Sequence, residues 1–204
     1  MKVLCFSDLH CDRASARSVV DQSKDADLVV GAGDFANQHR GLADTLDILC
    51  EITQPSFLVP GNGETLEELL EASANWESAT VLHGSGLTVE MGSTSLPVFG
   101  VGGGIPVTPF GAWSYDFDEE SAIDLLSDCP ASGLLIVHSP PIETVDHDSS
   151  DRVRGSQSIR ECVERCQPKL VVCGHIHSDW GKQVRLGESL VVNAGPQGVM
   201  IDLD

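Results

Sequence analysis

Val3-Leu4-Cys5-Phe6-Ser7-Asp8 opens the chain with an apolar run that stops at a carboxylate. Four later runs stop in the same way. Leu28-Val29-Val30-Gly31-Ala32-Gly33 ends at Asp34, and Phe57-Leu58-Val59-Pro60-Gly61 ends at Asn62. Leu134-Leu135-Ile136-Val137 ends at His138, and Leu170-Val171-Val172-Cys173-Gly174 ends at His175. Short β-branched runs bounded by turn residues read as buried strands. In open α/β sheets, ligands sit just beyond the carboxyl ends of strands. Five strand tips therefore deliver Asp, Asp, Asn, His and His to one rim, which points to a polynuclear metal site.

Outward from these runs, helical patterns fill the gaps. Arg13 to Gln22 follows the first run. Gly41 to Ile52 carries Leu42, Leu46 and Leu49 at helical spacing, and Glu64 to Ser73 begins with Glu64, Glu67 and Glu68, acids that favour a helix start. The alternation is a βαβ pattern and implies a mainly parallel sheet. Thr80 to Leu82, Leu87 to Met91 and Leu96 to Val101 read as an antiparallel meander. Asp118 to Ser127 and Ser156 to Cys166 read as helices. Gln183 to Leu186, Ser189 to Asn193 and Val199 to Leu203 read as hairpin strands. Two long irregular stretches, 102–117 and 139–155, are loops of the length that usually serves function.

The chain has 204 residues, 41% of them apolar, which suits one domain spanning 1–204 with a real core. No apolar run approaches the ~20 residues of a membrane span. The apolar start is too short for a signal peptide, so a cytoplasmic location is expected. Thirty-one acidic residues face 12 basic ones, a net charge of −19. Such a surface repels long polyanions, making duplex nucleic acid a poor partner. It also suits a protein solvated for high salt, where repulsion is screened. Seven cysteines, an odd number with no CxxC, argue against a disulfide framework and a structural zinc cluster. Cys162 and Cys166 lie one helical turn apart, as any helix could place them; most of the cysteines read as small buried hydrophobes.

Asp8-Leu9-His10 and His175-Ile176-His177 each place two ligands on one side of an extended segment. Asp34 can bridge two ions with its two oxygens, and Asn62 offers a neutral oxygen. Mixed imidazole and carboxylate ligation suits Mn, Fe, Zn, Ni or Co. Two such ions ~3.5–4 Å apart clamp the attacking and leaving oxygens of a phosphoryl displacement, and a shared water ionises near neutral pH.

In this order the motifs resemble the calcineurin-like metallophosphoesterase superfamily. Its pattern of DxH, GD, GN, a lone His and GHxH stands here as Asp8-Leu9-His10, Gly33-Asp34, Gly61-Asn62, His138 and Gly174-His175-Ile176-His177. The resemblance runs from residue 8 to the Asn193-Ala194-Gly195 turn. Gly102-Gly103-Gly104, Thr108-Pro109-Phe110 and His138-Ser139-Pro140-Pro141 look like a compact prokaryotic, archaeal-type phosphodiesterase branch. The resemblance implies a four-layer αββα sandwich of two mixed sheets flanked by helices. It implies one metal on Asp8, His10, Asp34 and His177, and a second on Asp34, Asn62, His138 and His175, with manganese the preferred ion. It further implies hydrolysis of a small phosphate ester by a metal-bridging hydroxide, a diester ahead of a monoester, with Asp34, Asn62, His10 and His138 central to catalysis. A monoesterase, a nucleotide hydrolase or a non-catalytic scaffold of the same fold are the alternatives.

One departure matters. Many family members carry His after the GN asparagine as a leaving-group acid, and here that position is Gly63. General acid help contributes about 10²–10⁴-fold where it operates. His39, in the loop after Asp34, is a candidate stand-in. Arg152 and Arg154, in the loop after His138, are candidates to grip a substrate phosphate. Trp113, Tyr115 and Phe117 alternate in the other long loop, where they either wall the pocket or pack the loop down.

Overall fold

A computed structural model describes residues 1–92 and 94–203. The strands and helices run in chain order as β1 (Lys2–Phe6), α1 (Arg13–Ser23), β2 (Leu28–Gly31), α2 (Leu42–Leu49), β3 (Ser56–Leu58), α3 (Leu66–Ala72), β4 (Ala79–Val81), β5 (Ser85–Met91) and β6 (Thr94–Val101). They continue as α4 (Glu119–Leu125), β7 (Leu134–Val137), α5 (Gln157–Cys166), β8 (Leu170–Cys173), β9 (Gln183–Leu186), β10 (Ser189–Asn193) and β11 (Val199–Asp202), with a 3-10 turn at His177–Asp179. Side-chain caps start four of the helices. Asp12, Thr65, Asp118 and Ser156 accept from Ala14, Glu68, Ser121 and Ile159 N–H, and Thr65 and Glu68 form a reciprocal capping box.

The strands form two sheets, ordered β11-β1-β2-β3-β4 and β5-β6-β7-β8-β10-β9. Alternation along each strand builds three apolar layers. Leu4, Phe6 and Val29 face α1 and α2 with Val19, Leu46 and Leu49. Their neighbours Val3, Cys5, Leu28 and Val30 face the other way, against Val98, Ile136 and Val172 of the second sheet. The far side of that sheet, Phe99, Leu135, Val137 and Val171, packs on α4 and α5. This is the expected αββα sandwich. Its central strands are buried on both faces, which is why they read as unbroken apolar runs.

Three details of the expected topology differ. β4 does not join a meander. It pairs parallel to β3 (Phe57↔Thr80) across the α3 crossover, and of the three expected meander strands only β5 and β6 pair antiparallel. β11 leaves its hairpin neighbours and pairs antiparallel with β1 (Val3↔Ile201), carried to the other sheet by the turn at Gly195, whose N–H donates to Ser7 Oγ. Glu64 does not start α3. The Thr65 cap starts it, and Glu64 turns inward and is fully buried.

Candidate metal centre

The carboxyl ends of β1, β2, β7 and β8, with the loop after β3, meet at one rim. The residues there are not extended as their alternation suggests. Asp8 (φ 54°), His10 (φ 43°), Asp34 (φ 57°) and His175 (φ 66°) all take the left-handed conformation. Such positions cost of order 1–3 kcal/mol for a non-glycine residue and persist where the surroundings over-determine them. The chain therefore turns sharply at the tips of β1, β2 and β8, and there the turn, not strand alternation, aims the side chains.

Six of the seven candidate ligands show convergent donor atoms. His10 and His177 bring their Nε2 atoms to 3.1 Å of each other. His10 Nε2 lies 3.5 Å from Asp34 Oδ2, and His177 Nε2 lies 3.7 Å from Asp8 Oδ1. On the other side of Asp34, Oδ1 lies 3.5 Å from His138 Nε2, which in turn is 3.2 Å from Asn62 Oδ1. Asp34 thus presents one oxygen to each half of the site. His175, the seventh, sets its ring 5.0 Å from that of His138 at 65°, and its backbone N–H donates to Asp8.

Backbone and side-chain partners fix each donor. His138 Nδ1 is 2.7 Å from Ala32 O, which puts the proton on Nδ1 and leaves the Nε2 lone pair facing the site. Asp8 Oδ2 accepts from Ser7 Oγ at 2.5 Å and Trp180 Nε1 at 3.2 Å, leaving Oδ1 to face His177. Asn62 Nδ2 donates to Ser114 Oγ at 3.0 Å, so its oxygen points to His138. Gly61 is required by close approach: a Cβ there would lie 2.1 Å from Asp34 N. Gly63 is less confined: its N–H donates to Asp34 Oδ1 at 2.7 Å, and a Cβ there would stand 3.2 Å from that oxygen, a tight contact and not a clash.

Electrostatics favours cations here. Burial pushes Asp8 above the ordinary carboxylate range, with Asp34's charge adding to it. Burial acts on Asp34 in the same direction, but His138, His10 and His175 together hold it below its ordinary value. Burial and the neighbouring His138 push His175 down to about 3, so its imidazole is neutral and able to donate a lone pair. Two buried carboxylates, four imidazoles and an amide oxygen, with no lysine or arginine among them, form a donor set that fits divalent transition ions.

Residues that alternation did not single out hold this arrangement. Glu64 accepts from Gly61, Ala36 and Phe35 N–H at 2.8, 2.9 and 3.3 Å, tying the Asp34 loop to the Asn62 loop. Burial and the charge of Asp34 raise it to about 7. Asp116 organises the 102–117 loop, accepting from Thr108 N, Thr108 Oγ1 and Ser114 Oγ. Asp146, fully buried, does the same for 139–155, accepting from the N–H groups of Glu143, Thr144, Arg154 and Gly155. Asn193 Nδ2 bonds Gly174 O and Ile176 O, bracing the His175–His177 segment. A signal existed in Glu64, an acid two residues past Asn62, and in the Thr108, Ser114, Asp116 set within an otherwise apolar loop.

The candidate substrate residues divide. His39 has both ring nitrogens engaged, Nδ1 with Glu68 at 2.8 Å and Nε2 with Trp113 O, and it lines a separate hollow with Leu42 and Asp47. Its ring is a strut between α3 and the 102–117 loop, because Glu68 and the Trp113 carbonyl occupy its two nitrogens. Arg152 and Arg154 share Asp148, at 3.1 and 2.8 Å; Arg154 also borders a cavity beside the rim, and Arg152 does not. Trp113 stacks on Phe110 at 5.7 Å and 11° and lines the rim, whereas Tyr115 and Phe117 pack on His83.

An αββα sandwich of this order has counterparts among known proteins. The calcineurin-like phosphoesterase family model matches residues 1–179. The chain belongs to that family. This phosphoesterase shares its fold with TT1561 of Thermus thermophilus (TM-score 0.75, 22% identity, covering 96% of this chain and 90% of that one). It is also similar to the phosphopantetheinyl hydrolase PptH of Mycobacterium tuberculosis (0.62, 14%, 95% and 88%) and to a novel archaeal phosphodiesterase (0.55, 15%, 96% and 84%). A search of curated proteins finds no match to the phosphoesterase. Among its described residues, no helix is long and apolar enough to cross a membrane.

Proposed function

We propose that this phosphoesterase hydrolyses a small phosphodiester at a pair of divalent cations, manganese first among them. One cation would be held by Asp8, His10, Asp34 and His177, the other by Asp34, Asn62, His138 and His175. When bound, the ions supply the charge that eases ionisation of a water and neutralises charge growing on phosphorus oxygens. The protein supplies placement: the Ala32 carbonyl fixes the His138 tautomer, and Ser114 fixes the Asn62 amide with its oxygen toward the site.

The observation that carries the diester reading is that two cavities meet at the His175 and His177 imidazoles. One, of about 640 Å³, is walled mainly by apolar groups, among them Val107, Pro109, Phe110 and Ile176. The other, of about 380 Å³, holds His10, Asp34 and Asn62 and is bordered by Asn37, Gln38 and Trp113. A phosphorus atom at their junction has room for an organic arm on each side, one apolar and one polar. A monoester has only one arm to place. Every imidazole lining either cavity belongs to the ligand set. With Gly63 in the acid's place and His39 turned elsewhere, neither cavity keeps a spare imidazole to protonate a leaving oxygen, which favours substrates with acidic leaving alcohols. The net charge of −19 makes duplex nucleic acid a poor substrate.

The test compares bis-p-nitrophenyl phosphate with p-nitrophenyl phosphate, with manganese supplied, for the parent chain and Asn62→Ala. Higher kcat/KM on the diester, lost in the variant, is expected. Preference for the monoester would overturn the diester reading. Absence of activity with both, together with no metal bound, would overturn the enzymatic one.

A further inference from the structure

The outer helical layer holds a second cluster of metal-binding side chains. Cys129, in the segment after α4, lies beside Cys162 and Cys166, one turn apart on α5. Their sulfur atoms all fall within 4.8 Å of one another. All three residues are buried, at 7%, 3% and 4% exposure, and all three are free thiols. None of the seven rim ligands belongs to this group. Arg165 bridges the two elements over it. Its Nη2 donates to Leu126 O at 2.9 Å and stands 3.7 Å from Cys162 Sγ. The Cys166 thiol donates to Cys129 O at 3.2 Å, drawing the segment after α4 onto α5.

Packing alone accounts for one small apolar side chain at a helix–helix contact. It does not call for three sulfurs facing one point under a guanidinium. The donor set has a definite chemistry. Thiolates select soft ions, and among the described residues the group contains no histidine or carboxylate to add a hard or borderline donor. Structural zinc takes four protein ligands. Three sulfurs without a fourth donor in the group suit a soft monovalent ion that accepts three-fold coordination. We infer that Cys129, Cys162 and Cys166 form a three-thiolate site for one soft monovalent cation of the Cu(I) class. Each S–H that becomes a ligand gives its proton to solvent as its sulfur binds. Arg165 offsets part of the negative charge left on the cluster. Hydrogen bonding by the Cys129 thiol, together with Arg165, lowers the Cys162 thiol, while the hydrogen bond to Cys162 and burial raise Cys129, and burial and the Cys162 charge raise Cys166, so the three thiols share their protons as a group.

The test uses the full chain, reduced, its rim filled with manganese, titrated with Cu(I) without oxygen against a chromogenic Cu(I) chelator. Expected are one equivalent withdrawn from the chelator, ultraviolet thiolate-to-metal absorbance, and a raised melting temperature. Cys162→Ser should abolish all three while leaving manganese-supported phosphoesterase activity. Cys50→Ser, at an exposed cysteine outside the cluster, should keep them. If Cys162→Ser does not fold, X-ray absorption on the copper-loaded parent decides: three sulfur neighbours and no nitrogen support the site. Copper bound equally by the Cys162→Ser chain, a nitrogen-rich shell, or no copper withdrawn from the chelator would each overturn it.

Discussion

Asp146→Asn tests whether the long loop after His138 depends on the buried carboxylate at its centre. Asp146 is fully buried. Its Oδ2 accepts from Glu143, Arg154 and Gly155 N–H at 3.1, 3.2 and 2.9 Å, and its Oδ1 accepts from Thr144 N–H at 3.0 Å. The amide's better orientation keeps its oxygen on the three-donor side. It then turns an NH₂ group toward Thr144 N–H, so one bond becomes a donor–donor contact and three lose their ionic partner. A hydrogen bond to a charged group contributes ~1.5–3 kcal/mol, so a loss of about 2–3 kcal/mol is expected. For a chain of this length each kcal/mol moves Tm by ~2–4 °C, giving a fall of roughly 4–12 °C. The loop also supplies Asp148, Ser149 and Arg154 to the apolar cavity, so KM for a diester should rise while kcat changes little. Thermal unfolding followed by circular dichroism, with steady-state kinetics on bis-p-nitrophenyl phosphate, reads both quantities. A variant that melts with the parent would refute the claim that this carboxylate organises the loop.

Three further outcomes follow from the same contacts. Ser114→Ala removes the partner that orients the Asn62 amide, so the manganese concentration for half-maximal activity should rise ~10–100-fold, the usual cost of losing an outer partner of a metal ligand; an unchanged metal titration would show that Asn62 orients itself. His39→Gln should cost no more than about 1 kcal/mol, as a partly exposed ion pair does, and leave turnover unchanged, because both ring nitrogens are already engaged; a tenfold fall in kcat would restore His39 as the leaving-group acid. Raising sodium chloride from ~0.1 M to ~2 M should raise Tm, because screening relieves repulsion among the surface charges behind the net charge of −19; identical melting in both would remove the high-salt reading.

The strands and their order of chemistry were legible because burial on both faces leaves no choice of residue type. The runs Leu134 to Val137 and Leu170 to Cys173 are apolar at every position, with the candidate ligand placed where the apolar requirement stops. Pairing partners were less legible. Nothing local distinguishes β4 as an edge strand of the first sheet from a strand of a meander, since that choice is made by what α3 packs against. β11 is the same case, with its partner β1 at the far end of the chain. The candidate ligands could be named from the sequence, but not the backbone that aims them. Asp8, His10, Asp34 and His175 adopt positive φ, uncommon for any residue with a Cβ even though Asp and His tolerate it best, because the neighbouring turns leave no other path.

The two long loops show why the remaining machinery was hidden. A loop has no periodicity, so its architecture cannot be read from spacing, yet its backbone donors must still be satisfied. Here buried or half-buried carboxylates meet part of that requirement, Asp116 for 102–117 and Asp146, with Asp148 and Asp179, for 139–155. Each such acid is one among 31 acidic residues in the chain and carries no mark of its role. Asp116 reaches the centre through Ser114 and Asn62, whereas Asp146 reaches the cavity wall through the backbone of Arg154 and Gly155. The first loop is therefore coupled both to the orientation of Asn62, through Ser114, and to the cavity wall, through Thr108, whereas the second is coupled to the wall alone. Perturbing Asp116 should therefore move metal dependence and substrate affinity together, and perturbing Asp146 substrate affinity chiefly, because Asp116 holds both Ser114 and the cavity-lining Thr108 while Asp146 holds Arg154.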